Sequence, residues 1–217
     1  MLPLPDPSHA ELHHESRWEL RRQMRAQRSS LSPAEQARAA LQVARRIAHS
    51  TLFQRSRHIA CYLPQRGELD PTPLMQRAWA MRKTCYLPVL SPLPGGRLWF
   101  VPYRQGDPLT PNRFGILEPC LSTMHRAPPW MLDLVLTPLV AFDTQGNRLG
   151  MGGGFYDKTF SFMRQRKHWR KPHLVGLAYD FQCVATLQHF PWDVPLQAIA
   201  TELRLYLPTR LPTKDAP

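Results

Sequence analysis

Residues 58–89 read HIACYLPQRGELDPTPLMQRAWAMRKTCYLPV, and this stretch decides the fold. The apolar run at residues 58–63 predicts a strand, and residues 84–89 predict a second short strand. Between the two strands, a polar loop over residues 65–70 leads into a predicted helix at residues 73–82. A strand, a helix and a second strand in this order form the unit of a parallel sheet that is covered by helices.

The elements outside this unit extend the same architecture. Further strands are predicted at residues 98–103, 132–137 and 174–179, and the second of these is bounded by prolines, as a buried central strand would be. Ser32-Pro33-Ala34-Glu35 predicts a helix start with a capping box, and that helix extends to His49. The sequence therefore predicts an α/β protein: a single three-layer Rossmann-like domain with a mostly parallel sheet and helices on both faces.

The 217 residues, 43% of them apolar, suit one domain. We expect residues 1–16 to be a disordered N-terminal extension, residues 17–205 the α/β domain and residues 206–217 a C-terminal tail. The first fifteen residues carry acids, unlike a signal or transit peptide, and no run is long enough to span a membrane. These features predict a cytoplasmic protein. The spacing of the four cysteines indicates neither a zinc site nor a redox pair, so we expect reduced, structural thiols.

A net charge of +12 calls for an anionic partner. Residues 17–28 predict a basic helix whose apolar stripe is Leu20, Met24 and Leu31. The arginines of this helix fall on the neighbouring stripe, at the rim of the buried face: Arg17, Arg21, Arg25 and Arg28. No motif of a nucleic-acid-binding domain is present, and a small polyanion such as ATP would use the same positive field. The charge alone does not choose between these partners.

The segment most informative about function is residues 147–157, NRLGMGGGFYD. Its glycines leave the backbone open, so that consecutive N–H groups can converge on an anion, and Arg148 can add a fixed charge. The segment is not a Walker loop, because no Gly-Lys-Ser/Thr closes it. It is not the dinucleotide fingerprint either, because Phe155 occupies the place of the third glycine. The segment is predicted to follow a buried strand of the sheet and to open a helix at residues 157–165, the place where ligands bind in open α/β sheets. The alternative is a flexible strand-to-helix connection in which Asp157 caps the helix.

Residues 148–157 resemble the signature of the 5-formyltetrahydrofolate cyclo-ligase family. Three further segments, at residues 63–70, 114–119 and 137–143, are similar to family segments, and the basic first helix is also in place. Together they cover residues 17–202 in the family's order. The resemblance implies an enzyme that closes 5-formyltetrahydrofolate to 5,10-methenyltetrahydrofolate, with ATP as co-substrate and Mg²⁺ as cofactor.

The resemblance also implies which residues form the site. Arg148 and Asp157 would be catalytic. ATP would be bound by two groups of residues: Arg17, Arg21 and Arg22 of the basic helix, and Arg148, Leu149, Gly150, Met151, Gly152, Gly153, Gly154, Phe155 and Tyr156. The folate would contact Gln65, Glu68 and Asp70, together with Met151, Gly152, Gly153, Gly154, Phe155 and Tyr156. Either Glu68 or Asp70 could instead be an ordinary acid at the start of a helix.

The implied metal ligands are Asp157 and Asp193, since Mg²⁺ with a phosphate takes one or two carboxylates. Taken alone, Asp193 reads as a turn residue. Two positions depart from the family pattern. Phe155 replaces a tyrosine and keeps the flat ring, and Gln197 stands where many relatives carry a second aspartate, which makes the metal's neighbourhood less acidic.

Other functions compete with this one. An enzyme of the same broad fold, such as a sugar-phosphate isomerase or a CoA transferase, would bind phosphorylated ligands without consuming ATP. A nucleic-acid-binding protein is favoured by charge alone, and Gln197 leaves room for a family member without activity. We expect small-molecule partners, a monomer, and neither a membrane nor a nucleic acid as partner.

Overall fold

The computed structural model describes residues 7–120, 126–164 and 171–208, with side chains from residue 16 onward. The helices are α1 (Pro7–Ser30), α2 (Pro33–Ala48), α3 (Thr51–Arg55), α4 (Thr72–Ala80) and α5 (Phe155–Thr159). Short 3-10 turns lie at Pro129–Met131, Ser161–Arg164 and Asp180–Gln182. The strands are β1 (His58–Ala60), β2 (Thr84–Leu90), β3 (Leu98–Pro102), β4 (Leu109–Pro111), β5 (Leu117–Pro119), β6 (Leu134–Pro138), β7 (Ala141–Phe142), β8 (Arg148–Leu149), β9 (His173–Leu177), β10 (Ala198–Ala200) and β11 (Leu205–Tyr206).

The main sheet has seven strands in the order β11-β10-β9-β6-β1-β2-β3. Strands β10, β9, β6, β1 and β2 run parallel to their neighbours, and the edge strands β3 and β11 pair antiparallel. The predicted strand-helix-strand unit is confirmed, because β1 and β2 are parallel with Ile59 opposite Cys85 and α4 between them. The hairpins β4–β5 and β7–β8 form two separate small sheets.

Alternate residues of the central strands enter two cores, one on each face of the sheet. Ile59, Leu134 and Leu136 belong to the core beneath α2, α3 and α4. Ala60 and Val135 belong to the other core, which α5 covers through Phe155 and Tyr156. Period-two alternation with both faces buried is the pattern of a central strand in a covered sheet. The structure thus confirms the predicted three-layer α/β architecture.

The start of α2 was predicted correctly from the local sequence, and the start of α1 was not. Helix α2 begins as predicted, with Ser32 and Glu35 forming the capping box. Helix α1 begins at Pro7, not at Arg17, so residues 7–16 of the expected extension form its first turns. The division of the chain into extension, domain and tail stays a prediction. Within the described residues, no helix has the length and apolar character that a membrane crossing requires.

Two other expectations need correction. The predicted helix over residues 157–165 is wrong in its bounds: α5 begins at Phe155 and gives way to a 3-10 turn after Phe160, while Gln165 lies outside the described residues. The glycine-rich segment does not directly follow a central parallel strand. It follows β8, which pairs with β7 in a hairpin outside the main sheet. Both errors arise because glycines and short apolar runs carry no sign of the partner strand.

Candidate functional site

The glycine loop (Gly150–Gly154) connects the β7–β8 hairpin to α5. Its left-handed positions are Gly152 at φ +106° and Gly154 at φ +63°, conformations that a side chain would strain. The middle of the loop, residues 151–153, is exposed. Leu149, at the start of the loop, is fully buried against Met24, so only its backbone could contact a ligand. The loop therefore presents bare main chain to solvent, as binding of an anion requires.

Helix α1 lies against this loop through its arginines. The Nε of Arg21 donates to the carbonyl oxygen of Gly150 at 2.9 Å, and Arg25 contacts the sulfur of Met151 at 3.5 Å. Burial lowers the pKa of Arg21, and the charges of Arg17 and Arg25 lower it further. Arg22 is exposed and its guanidinium lies over the Trp18 ring of its own helix at 5.1 Å. The structure therefore brings Arg21 to the loop but turns Arg22 elsewhere.

The two residues that flank the loop are paired with each other. Arg148 and Asp157 form an ion pair at 2.6 Å, and Arg148 is nearly buried, with 6% of its side chain exposed. Arg148 also donates to the carbonyl oxygen of Val194, and Asp157 accepts from the N–H of Val194 at 3.0 Å. These bonds fix the segment that carries Asp193 beside Asp157. In this arrangement the guanidinium of Arg148 faces protein acceptors below the loop.

Asp193 closes a turn, as its sequence context indicates. Its Oδ2 accepts from the N–H of Phe190 at 3.0 Å, and its own N–H donates to the carbonyl oxygen of Phe190 at 2.9 Å. Among the residues described, no group of three or more histidine, cysteine, aspartate and glutamate side chains could hold a metal ion. The Val194 hydrogen bond brings the segment of Asp193 to Asp157, and a Mg²⁺ ion that arrives with a nucleotide and keeps phosphate and water ligands needs only one or two carboxylates.

A buried polar cluster lies between α1 and the loop at residues 65–70. Glu68 is 8% exposed, accepts from the N–H of Gln65 at 3.1 Å, and has one oxygen 4.0 Å from Arg28. Burial raises the pKa of Glu68, while the Gln65 hydrogen bond and the charge of Arg28 act against that rise. Burial raises the pKa of the Tyr156 hydroxyl in α5, and the charge of Glu68 raises it further. Side chains of α1 and of the loop at residues 65–70 thus meet here, within range of the charge effect on Tyr156.

The structure separates the roles of the two acids in this segment. Asp70 accepts from the N–H of Thr72 at 2.8 Å and so serves the start of α4. Glu68 lies instead in the buried cluster. Of the two acids, Glu68 is the buried one and Asp70 is the one at the start of a helix, and the role of Glu68 towards the folate stays a prediction.

Arg28 is the residue of this cluster that the sequence did not single out. It was expected at the rim of α1, yet its side chain is fully buried. None of its three guanidinium nitrogens has a hydrogen-bond partner among the described residues, and the same is true of the buried Tyr179 hydroxyl. Burial lowers the pKa of Arg28, although Glu68 opposes this. The seven-residue spacing from Arg21 places both arginines on one face of α1, a signal that could have identified Arg28.

A cleft of about 450 Å³ was also missed. It lies between the β2–β3 connection and the β4–β5 hairpin, next to α5, and its lining includes Gly96, Asn112 and Glu118. The exposed Phe114 contacts Phe155 edge-on at 6.0 Å between ring centroids, so the cleft borders the end of the glycine loop. No strand was predicted between residues 103 and 132, because β4 and β5 are each only three residues long.

The pH dependence of stability should report the burial of Glu68. Because its raised pKa means that the folded state holds a proton which the unfolded chain releases, wild-type stability should fall as pH rises above about 4.5, the ordinary pKa of glutamate. Glu68→Gln cannot ionise and should escape this loss. Urea unfolding of both proteins from about pH 4.5 to 8 measures the difference, which should grow in favour of the variant. Parallel stability curves would contradict the assignment.

Comparisons with known proteins show similarity over most of the chain. The model of the 5-formyltetrahydrofolate cyclo-ligase family matches residues 13–202. A 5-formyltetrahydrofolate cyclo-ligase of Escherichia coli K12 is 39% identical over 183 residues, which cover 84% of this chain and 98% of the relative. One of Haemophilus influenzae is 39% identical over 84% of this chain and 95% of the relative.

The solved structures agree in fold as well. The NMR structure of the Aquifex aeolicus 5,10-methenyltetrahydrofolate synthetase superposes with a TM-score of 0.74 at 30% identity, covering 92% of this chain and 96% of that one. The family model spans the basic helix, the Glu68 segment, the glycine loop and the Asp193 turn without interruption. The chain therefore belongs to the 5-formyltetrahydrofolate cyclo-ligase family.

Proposed function

We propose that this protein converts 5-formyltetrahydrofolate into 5,10-methenyltetrahydrofolate and consumes ATP in doing so. The observation that carries the proposal is the convergence of α1, the glycine loop and the Glu68 segment. Arg21 donates to Gly150, Glu68 lies 4.0 Å from Arg28, and the charge of Glu68 acts on Tyr156. Helix α1 thus contacts both the open backbone of the glycine loop, through Arg21, and the segment of the buried Glu68, through Arg28, so that two substrates could meet beside it.

The chemistry explains why a nucleotide is needed. The formyl oxygen of the substrate is a poor leaving group. In the proposed reaction this oxygen attacks the γ-phosphorus of ATP, and the bond to ADP breaks. The N10 nitrogen then attacks the activated formyl carbon and loses its proton, and phosphate leaves with the electrons of the carbon–oxygen bond. Both nucleophiles belong to the substrate, so the protein's task is to align the substrates and to neutralise charge.

The nucleotide end of the site is assigned to α1 and the glycine loop. Backbone N–H groups of residues 150–154 would bind the phosphates, with Arg17 and Arg21 supplying positive charge from α1. Arg22, which stacks on Trp18, would have to turn to take part. Arg148 would act through Asp157, because its guanidinium holds that carboxylate in position and balances its charge.

The folate end is assigned to Gln65, Glu68 and the residues from Met151 to Tyr156. A buried carboxylate can accept paired N–H groups from a pterin ring, which is the role proposed for Glu68. Asp70 would contribute indirectly, by fixing the start of α4 beneath this segment. Tyr156 would separate the two substrates.

Asp157 and Asp193 would hold a nucleotide-borne Mg²⁺, because the Val194 hydrogen bond joins their segments and such an ion needs only one or two carboxylates beside phosphate and water. When bound, the ion would neutralise charge on the transferring phosphoryl group. Gln197 stands where many relatives carry a second aspartate. The side-chain oxygen of Gln197 accepts from the N–H of Leu174 at 2.5 Å and so stabilises the sheet.

The test is an assay of purified protein with 5-formyltetrahydrofolate and magnesium, with and without ATP. The methenyl product absorbs in the near ultraviolet, and we expect it to form only when ATP is present, with one ADP released per product. A sugar-phosphate isomerase or CoA transferase would give no such product. Failure to form it at any ATP concentration would refute the proposal.

A further inference from the structure

The turn at residues 190–193 carries an aromatic pair that no role so far explains. The rings of Phe190 and Trp192 stack face to face, with centroids 4.9 Å apart and planes 4° from parallel. Because Phe190 covers one face of the indole while Trp192 remains 59% exposed, the other face of the indole is open to solvent. A large flat apolar surface in this position is costly to leave in water.

Hydrogen bonds fix the conformation of the turn, so the two rings form a fixed surface. The two hydrogen bonds between Phe190 and Asp193 close it, and Arg164 donates to the carbonyl oxygen of Pro191 at 2.8 Å. The next residue, Val194, is bonded to Asp157 directly after the glycine loop. On the other side, the Arg17 guanidinium of α1 lies over the Phe190 ring, 4.9 Å from its centroid.

We infer that Trp192, supported by Phe190 and Arg17, is the surface on which the purine base of the nucleotide stacks. This inference rests on the proposed function. It names the part of the site that holds the adenine base, the end of ATP farthest from the transferred phosphoryl group. The turn is joined through Val194 to Asp157, which is proposed to hold the metal of the nucleotide, and its ring pair lies beside Arg17 of α1. A base stacks on an aromatic ring through its π-face, an interaction that typically strengthens binding by about fivefold to a hundredfold.

The test compares ATP with inorganic tripolyphosphate, which carries the phosphates without a base. Isothermal titration in the presence of magnesium measures the dissociation constant of each for the wild type, Trp192→Ala and Trp192→Phe. We expect Trp192→Ala to weaken ATP binding by about tenfold or more and to leave tripolyphosphate within about twofold. Trp192→Phe keeps a flat ring and should stay within about threefold of wild type for ATP.

Trp130→Ala is the matched control. Trp130 is similarly exposed, at 53%, and also contacts a phenylalanine, Phe162, but it lies in the 3-10 turn that precedes β6. It should leave ATP binding unchanged. Unaltered ATP binding in Trp192→Ala would overturn the inference, and so would equal losses for ATP and tripolyphosphate. Because binding is measured directly, the result stands apart from the cyclisation assay: absence of product would refute the proposed function, whereas these two outcomes would refute only the stacking surface.

Discussion

Asp157→Asn is expected to lower kcat by about 10²- to 10³-fold while the protein stays folded. The amide oxygen can still accept from Arg148 and from the N–H of Val194, so the local geometry is preserved. The negative charge is lost, and with it the group proposed to hold the metal of the nucleotide. Steady-state assays of methenyl formation at saturating substrates measure the effect, with magnesium varied to detect a weakened metal requirement.

Asp107→Asn is the control for that variant. Asp107 also accepts a backbone hydrogen bond, from Arg104 at 2.7 Å, but it lies in the turn between β3 and β4. The control should retain wild-type kcat, and circular dichroism should show both variants folded. Turnover of Asp157→Asn within a few-fold of wild type, at ordinary magnesium concentration, would refute its role in the reaction.

Asp143→Ala should produce the largest loss of stability, about 3–5 kcal/mol. Asp143 is fully buried and its carboxylate accepts four hydrogen bonds, at 2.9–3.0 Å, from the backbone N–H groups of Gln145, Asn147 and Leu187 and from the Asn147 side chain. Alanine would remove the acceptor of all four donors at once, and with it the bonds that close the turn. Urea unfolding measures the loss in free energy of unfolding. In thermal unfolding, the same loss should lower Tm by roughly 10 °C for a protein of this size.

The comparison for this variant is Asp107→Ala, which removes a single hydrogen bond in a half-exposed turn and should cost less than about 1 kcal/mol. If Asp143→Ala unfolds at the same urea concentration as Asp107→Ala, the hydrogen bonds of Asp143 do not hold the β7–β8 turn together. Because this turn leads directly into the glycine loop, the wild-type contacts of Asp143 also set the position of Arg148.

The fold was largely predictable because its signals are local. Apolar runs such as residues 132–137 become buried strands whatever their neighbours, and the Ser32–Glu35 capping box starts α2 by itself. The strands missed at Ala198–Ala200 and Leu205–Tyr206 are two or three residues long, and their identity depends on pairing with β9 and with each other. Pairing between distant segments leaves little trace in a short stretch of sequence.

The site was predictable in composition and less so in geometry. The glycines that the structure leaves exposed were recognised from their spacing. That Arg148 would turn towards Asp157 and Val194 depends on where residues 190–194 fold back, which no local pattern encodes. The burial of Arg28 likewise depends on the Glu68 segment, which packs closely on it. A Cβ atom added at Gly67 would lie only 3.3 Å from the carbonyl oxygen of Arg28 and 3.5 Å from its Cβ.

The two borders of the main sheet bear on how copies of this chain associate. A strand with unpaired backbone groups at such a border invites a second chain to add to it. Here β11 is two residues long and is followed by Pro208, while β3 ends at Pro102 and its middle residue, Phe100, bridges to Ala127. Neither border offers a long row of free N–H groups, and proline cannot donate at all. Growth of the sheet from one molecule into the next is therefore opposed at both sides, which would help a concentrated solution to resist strand-mediated aggregation.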